Sequence, residues 1–454
     1  MLEIVLTGGP CSGKTVACGV LIQLLEARGF KVFTPPEQAS IFILNGICPS
    51  AKISMEEFQN FIIDGQLATE NLFRKAAEYY DPDKVIIFYD RGLLDGGAYV
   101  ERDYLANLLA KRNISFADAY NRYDAVFHLV TAADGAEAFY QWNDPTKADV
   151  GNNAARSESP AEAREKDKKT LNAWIGHPHL RVFDNSTDFD GKIKRVVEEV
   201  FALLGEPVPS EIERKFLIKK PTAEQIAALG CVSETNIIQT YLKNNGNATE
   251  RRIRQRGTRE TGYSFFYTEK TDVSSGVRIE NERKITPDEY LELLTEADTS
   301  LHQISKTRHC FVYKNRYFEL DIYPFSDEYA ILEIELNDID EEFELPPLDV
   351  VCDVTDDIHF RNSALAETLS FNLESIDAPV KTVTTTEWIY ETGRDEPEIL
   401  GSGSHTYNVV RTKDEDEAFR LSKECARNYI SRSRKVNGEK VYQWYDPHSK
   451  SWIE

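Results

Sequence analysis

Eight residues near the start of the chain, Gly8-Gly9-Pro10-Cys11-Ser12-Gly13-Lys14-Thr15, fit the spacing GxxxxGK[ST] in full. The apolar run Ile4-Val5-Leu6 precedes them and the amphipathic stretch Val16–Ala27 follows. That order dictates a strand, a tight loop and a helix, the context in which such a loop holds a phosphate. The glycines let backbone N–H groups turn inward, and the new helix aims its positive end at the same point. Lys14 would reach the terminal phosphates, and Thr15 would offer its hydroxyl to Mg²⁺ (or Mn²⁺). The implied ligand is ATP or GTP, and no NKxD-type motif is present to choose between them.

Residues 1–204 keep this rhythm. Short apolar runs (Glu3–Leu6, Lys31–Phe33, Val85–Tyr89, Ala125–Val130, Leu180–Phe183) alternate with amphipathic stretches such as Phe58–Tyr79. The alternation predicts βαβ units around a parallel sheet, an α/β P-loop NTPase or kinase-like domain. Ser159, Pro160 and Glu162 form a capping box that starts a helix. Asp90 closes the run Val85–Tyr89, where a Walker B carboxylate holds magnesium, although a loop aspartate after a strand is common. Glu37, after Pro35-Pro36, is a candidate base facing an acceptor or attacking water, with a surface acid as the equal alternative. Arg156 and Arg164 flank the capped helix start after the polar Gly151-Asn152-Asn153. Such a segment suits a lid that brings arginines over phosphates; the plainer reading is a solvated helix face. With the Asp90-Arg91 pair, the set resembles small P-loop kinase-like NTPases, a resemblance that supplies no acceptor site.

Charge narrows the partners. Acids outnumber bases 76 to 53, a net charge of −23, so a general nucleic-acid coat is excluded and any anion needs a local basic pocket. No apolar run of about 18 residues exists, so no transmembrane segment or signal peptide is expected. The seven cysteines are scattered without a CxxC pair, as in reduced thiols of a cytoplasmic protein.

Gly205–Ser210 breaks the first pattern and reads as a linker (205–210). From Glu211 to about Val354 the texture is many short alternating segments. Charges recur two residues apart on segment after segment: Glu211/Glu213/Lys215, Arg252/Arg254, Arg278/Glu280/Glu282, Lys306/Arg308, Glu319/Asp321 and Glu333/Glu335. Residues two apart on a strand share a face. For one strand the ordinary reading is a face turned to water. Six mixed-sign faces suggest instead an enclosed cavity for a metal-bound polyphosphate, which satisfies both signs at once.

Glu211-Ile212-Glu213-Arg214-Lys215 is the ExExK opening of the CYTH superfamily, the triphosphate tunnel metalloenzymes. Arg252-Ile253-Arg254, Thr268-Glu269-Lys270, Lys306-Thr307-Arg308, Phe318-Glu319-Leu320-Asp321 and Leu332-Glu333-Ile334-Glu335 continue the resemblance over about 211–370. It implies an antiparallel eight-stranded tunnel (domain 211–375) that binds a triphosphate with divalent metal. On it, Glu211, Glu213 and Glu335 are similar to metal ligands, with Glu333 and Glu280 or Glu282 as further candidates. Lys215, Arg252, Arg254, Lys270, Lys306 and Arg308 are similar to phosphate contacts. Glu211 and Glu213 would serve the catalytic metal that activates water.

Residues 380–454 carry aromatics on short strand candidates around a helical stretch, Glu415–Ser431. They read as a small α+β accessory module with no recognisable chemistry. The order of modules resembles the P-loop–CYTH fusions that include animal translocation-defect proteins, a group associated with GTP and phosphoinositide binding in membrane-protein trafficking. Two functions therefore stand. The first is a Mg²⁺-dependent NTPase or kinase-like module joined to a tunnel that hydrolyses a nucleoside or inorganic triphosphate. The second is a nucleotide-switched adaptor gripping a phosphoinositide headgroup. The full set of tunnel acids favours the enzyme, since a pure anion receptor has no use for carboxylates beside its cations.

Overall fold

The computed structural model describes residues 1–140, 158–205, 212–244, 250–274, 277–336, 343–373, 389–397, 404–412, 418–420, 429–436, 439–446 and 451–453. Five strands, β1 (Leu2–Thr7), β2 (Lys31–Phe33), β3 (Val85–Asp90), β4 (Ala125–Leu129) and β5 (Leu180–Phe183), form a parallel sheet in the order β2-β3-β1-β4-β5. The helices of this half are α1 (Lys14–Ala27), α2 (Gln38–Leu44), α3 (Met55–Ala77), α4 (Arg102–Ala110), α5 (Phe116–Asn121), α6 (Pro160–Trp174) and α7 (Phe189–Leu203).

Helices cover both faces, so the strands read as near-continuous apolar runs, broken by a few polar residues such as Glu3, His128 and Arg181, rather than alternating. One core packs Leu21, Leu25, Val196 and Phe201 against Ile4, Leu6 and Phe127. The other packs Ile63, Leu105 and Trp174 against Val5, Ile87 and Tyr89. The predicted strand limits hold within a residue, and Ser159 caps α6 with Glu162 as its spacing requires. Because β1 lies between β3 and β4, the chain changes sides of the sheet there, and the carboxyl ends of β1 and β3 form the crevice where such sheets bind ligands. Leu6 stands opposite Asp90 in the register.

Nine strands follow: β6 (Ile212–Lys219), β7 (Val232–Tyr241), β8 (Glu250–Thr258), β9 (Gly262–Ser274), β10 (Val277–Ile285), β11 (Ile304–Tyr313), β12 (Arg316–Ile322), β13 (Tyr329–Leu336) and β14 (Val350–Asp353). They form one antiparallel sheet in the order β10-β9-β8-β7-β11-β12-β13-β6-β14. The count exceeds the expected eight because the short β14 runs along the edge of β6. Phe318, Leu320, Leu332 and Ile334 pack on one face with Phe343 and Ile226. The opposite face carries the charges, and its centre does not look at water: Lys306 is 4 % exposed and Asp321 fully buried.

A third sheet, β15 (Ile389–Pro397), β16 (Ser404–Thr412), β17 (Tyr429–Val436), β18 (Glu439–Asp446) and β19 (Ser451–Ile453), has the order β16-β15-β17-β18-β19. The predicted helix to Ser431 is too long, since β17 takes over at Tyr429. Residues 380–388 of this module lie outside the described residues. Tyr445 packs edge-on against Phe419, with ring centroids 4.5 Å apart. Among the described residues no helix is long and apolar enough to cross a membrane, and none of the six described cysteines forms a disulfide.

Candidate functional site

The loop between β1 and α1 has the backbone its sequence demands. Gly8 adopts φ +136°, and a Cβ there would lie 2.1 Å from the Leu129 carbonyl oxygen. Gly13 (φ +96°) caps α1, and Cys11 is left-handed at φ 57°. Alternating left- and right-handed residues turn successive N–H groups toward one point, a nest for an anion. Neighbours fix Gly9, Pro10 and Cys11: Gly9 N–H donates to Asp167 Oδ1 (2.5 Å), the Thr131 hydroxyl to the Pro10 carbonyl (2.5 Å) and Ala132 N–H to the Cys11 carbonyl (3.2 Å). Lys14 Nζ folds back to the Gly8 carbonyl (3.2 Å) and Ser12 Oγ (3.4 Å). Burial and then Arg91 lower its pKa, against Asp90, Glu37 and Asp95. Thr15 is exposed on the first turn of α1.

Asp90 fits a magnesium ligand on structural grounds. Its Oδ1 is buried without a hydrogen-bond partner, and burial raises its pKa against the pull of Lys14. An orphaned carboxylate oxygen facing a lysine in a phosphate crevice is suited to a hydrated cation. Glu37, at the start of α2, accepts from Arg91 Nε at 2.8 Å and from Ser40. Burial alone would raise its carboxyl, but Arg91 and Ser40 hold it below its ordinary value. Arg91 is itself strained, at φ 73°, and reaches Asp95 Oδ1 at 3.4 Å. These residues border a cavity of about 250 Å³ whose walls include Pro35, Ile43, Phe58, Ile63 and Tyr99, with Gln59 and Gln66 as polar points. Arg164 turns away to the Ala133 carbonyl at 2.7 Å, and Arg156 lies outside the described residues.

On the nine-stranded sheet the predicted cations meet carboxylates. Lys215 Nζ lies 2.9 Å from Glu333 and 3.5 Å from Glu213. Arg308 makes two bonds of 2.6 Å to Asp321, one of 2.8 Å to Glu333, and pairs with Glu319. Lys306 closes the chain on Asp321. Burial would neutralise these groups, yet Lys215, Lys306 and Arg308 hold Glu333 well below the usual carboxylate range. Glu333 and Glu213 in turn keep Lys215 above its ordinary value. Arg254 reaches both oxygens of Glu282 (2.9 and 2.8 Å), and Arg252 lies 3.7 Å from Glu250. Lys270 stands opposite Glu250 and Glu280 in the register.

Glu213 and Glu335 face each other across β6 and β13, and water reaches 40 % and 39 % of their side chains. Glu211 lies outside the described residues. Among the described residues no three His, Cys, Asp or Glu side chains form a cage for a metal. That donor set still fits Mg²⁺, which takes one or two carboxylates and completes its shell with water and substrate phosphate.

Comparison with known families agrees with this geometry. The model of an AAA domain matches residues 3–192. The model of the CYTH domain matches residues 209–347. The order of the two matches is that of the P-loop–CYTH fusions. This chain is similar to the crystal structure of the inorganic triphosphatase NE1496, with 27% identity, 35% of this chain and 95% of that one covered, and a TM-score of 0.26. It is also similar to the PH1819 protein from Pyrococcus horikoshii OT3, with 21% identity, 28% and 81% covered, and a TM-score of 0.23. A search among curated proteins found no match.

Several residues of these sites escaped the sequence reading. Glu319 and Asp321 appear in the alternating pattern, but nothing there marks them as counterions of Arg308. Asp167 sits with Ala163, Thr170, Leu171 and Trp174 on the buried face of α6; a lone acid on an otherwise buried helix stripe is the signal that could have found it. Arg181 and Glu199, on β5 and α7, carry no local signal at all.

Proposed function

We propose that this chain is a divalent-metal-dependent phosphohydrolase that binds a nucleoside triphosphate at its P-loop and cleaves the terminal phosphate of a triphosphate in its CYTH tunnel. The carrying observation is the enclosed chain Lys215–Glu333–Arg308–Asp321–Lys306, a buried set of mixed charges held ready on one face. Lys215, Arg252, Arg254, Lys270, Lys306 and Arg308 would exchange these partners for phosphate oxygens. Glu213 and Glu335, with Glu211 and Glu333, would hold Mg²⁺ or Mn²⁺, which when bound polarises the phosphate and lowers the pKa of water. At the other site Lys14 would hold the terminal phosphates, and Thr15 and Asp90 the metal. We take residues 1–204 and 211–375 as the two working modules and 380–454 as an accessory one.

The cavity beside Asp90 and Arg91 favours one further reading for the P-loop module, phosphoryl transfer to a small, partly apolar acceptor. Glu37 would then hold Arg91 in place rather than take a proton, because ion pairing keeps it a weak base. The lipid-binding alternative rests on the family resemblance, and vesicle flotation tests it.

Phosphate release from ATP, GTP and inorganic triphosphate, with Mg²⁺ or Mn²⁺, is the deciding measurement on the parent, Lys14→Ala and Glu213→Ala. Glu213→Ala abolishes triphosphate hydrolysis while nucleotide binding at the P-loop persists. Parent-level turnover in both variants would sink the proposal.

A further inference from the structure

Among the described residues, the hydrogen bonds and ion pairs between the first domain and the nine-stranded sheet lie at one end of the strands. Arg256, near the end of β8, donates to the Gly176 carbonyl at 2.8 Å. Lys284, near the end of β10, donates to the Asn121 and Tyr123 carbonyls at 2.8 Å each. Ala117 N–H donates to Thr261, just before β9, at 2.9 Å. At the start of β12, Arg316 pairs with Asp184 at 2.9 Å, and the Tyr317 hydroxyl accepts from Gly176 N–H at 3.3 Å. Cys310, close to the end of β11, is part of the first domain's core. In an antiparallel sheet, where β7, β9 and β12 begin and β8, β10, β11 and β13 end is the same edge of the wall. The fit is close: Gly176 has φ +108°, and a Cβ there would lie 2.5 Å from Ser233 Oγ at the start of β7.

At this end β5 sends one side chain to a tunnel carboxylate. Arg181 Nη2 lies 2.5 Å from Glu335 Oε1, and its Nε donates to Glu199 Oε1 at 3.0 Å. Glu335 faces Glu213 in the register, with Glu199 and Glu319 also within electrostatic reach. Four carboxylates thus converge where the tunnel strands supply Arg308, already engaged by Asp321, Glu319 and Glu333, and Lys215, shared between Glu333 and Glu213. Carboxylates that ligate a metal are in turn fixed by a hydrogen bond, and losing that partner weakens metal binding.

We propose that the P-loop domain forms the floor of the tunnel and that Arg181 is a positioning residue for the metal-binding Glu335. The inference rests on the tunnel reading above and extends it: the tunnel site is built by both domains. Arg181 holds Glu335 through Oε1 and aims the carboxylate toward Glu213. It is anchored against Glu199, so the guanidinium stays at the floor of the site.

The test is titration of the full chain with Mn²⁺ alone, free metal being followed by its paramagnetic resonance signal, on the parent, Glu213→Ala, Arg181→Ala, Arg181→Lys and Arg316→Ala. The tunnel site is the one that Glu213→Ala removes. Arg181→Ala weakens that site about 10- to 100-fold, and Arg181→Lys, which keeps the charge but not the two-carboxylate fork, weakens it less. Arg316→Ala, which cuts another ion pair of the same interface, leaves it at the parent value. Parent-like binding by Arg181→Ala, or equal losses in Arg181→Ala and Arg316→Ala, would overturn the inference while leaving the tunnel reading intact. A parent without a Glu213-dependent site removes both.

Discussion

Asp167 Oδ1 accepts the Gly9 N–H at 2.5 Å, while Oδ2 lies 3.2 Å from His128 Nε2. One buried carboxylate thereby joins α6, β4 and the phosphate loop. Burial would raise its pKa, but His128 and the backbone N–H groups of Gly9 and Thr131 hold it low. Replacing it with alanine orphans the buried Gly9 N–H, and Asp167→Ala is expected to lose about 1–3 kcal/mol of stability. Asp167→Asn keeps an acceptor and should lose less. Urea denaturation of the two variants checks the order.

Asp321 is fully buried and compensates both Lys306 and Arg308. Asp321→Ala leaves two cations in the wall with too few partners, an expected cost of about 3–5 kcal/mol. Inorganic triphosphate supplies the missing negative charge. The ligand should therefore raise the melting temperature of Asp321→Ala by more than that of the parent, and an equal or smaller rise would contradict the wall's role in anion binding.

Asp90 sits at the price of an unsatisfied oxygen, Oδ1, and function and stability should part company there. Asp90→Asn is expected to melt at or above the parent temperature, because the buried charge is gone. Its nucleotide hydrolysis should need at least tenfold more Mg²⁺. Thermal melts and a magnesium titration of nucleotide hydrolysis measure the two effects separately.

Glu282 provides the pH dependence. Burial opposes its charge, but Arg254 and His179 bring its pKa down to about 2. A depressed carboxylate contributes stability fully above its unfolded value of about 4.5, and loses it as pH falls through the folded value. Parent and Glu282→Gln should thus differ most at neutral pH and converge near pH 2, as measured by denaturation across that range.

The parallel sheet was legible because its residues obey local rules: apolar runs of strand length, helix starts with caps, and one loop pattern with a fixed geometry. Ser159 and Glu162 show this, since a capping box needs nothing beyond four residues. The i, i+2 charges likewise announced a shared face. The sequence could not announce the pairing, because Arg308 finds Asp321 and Glu333 only through the register of β11, β12 and β13. Arg181 and Glu335 are separated by 154 positions, and their meeting depends on how two domains dock. Glu37 shows the converse: its loop position suggested a base or a surface acid with equal weight, and only the fold reveals its pairing with Arg91.

The ion pairs along the tunnel wall carry a consequence for discrimination. With Arg308 and Lys306 already satisfied by Asp321, an incoming anion wins only if it replaces several contacts together. A single small anion offers fewer oxygens for that exchange than three linked phosphoryl groups would. If the wall binds a triphosphate as proposed, chain length would be sensed by these resting ion pairs before any bond is broken.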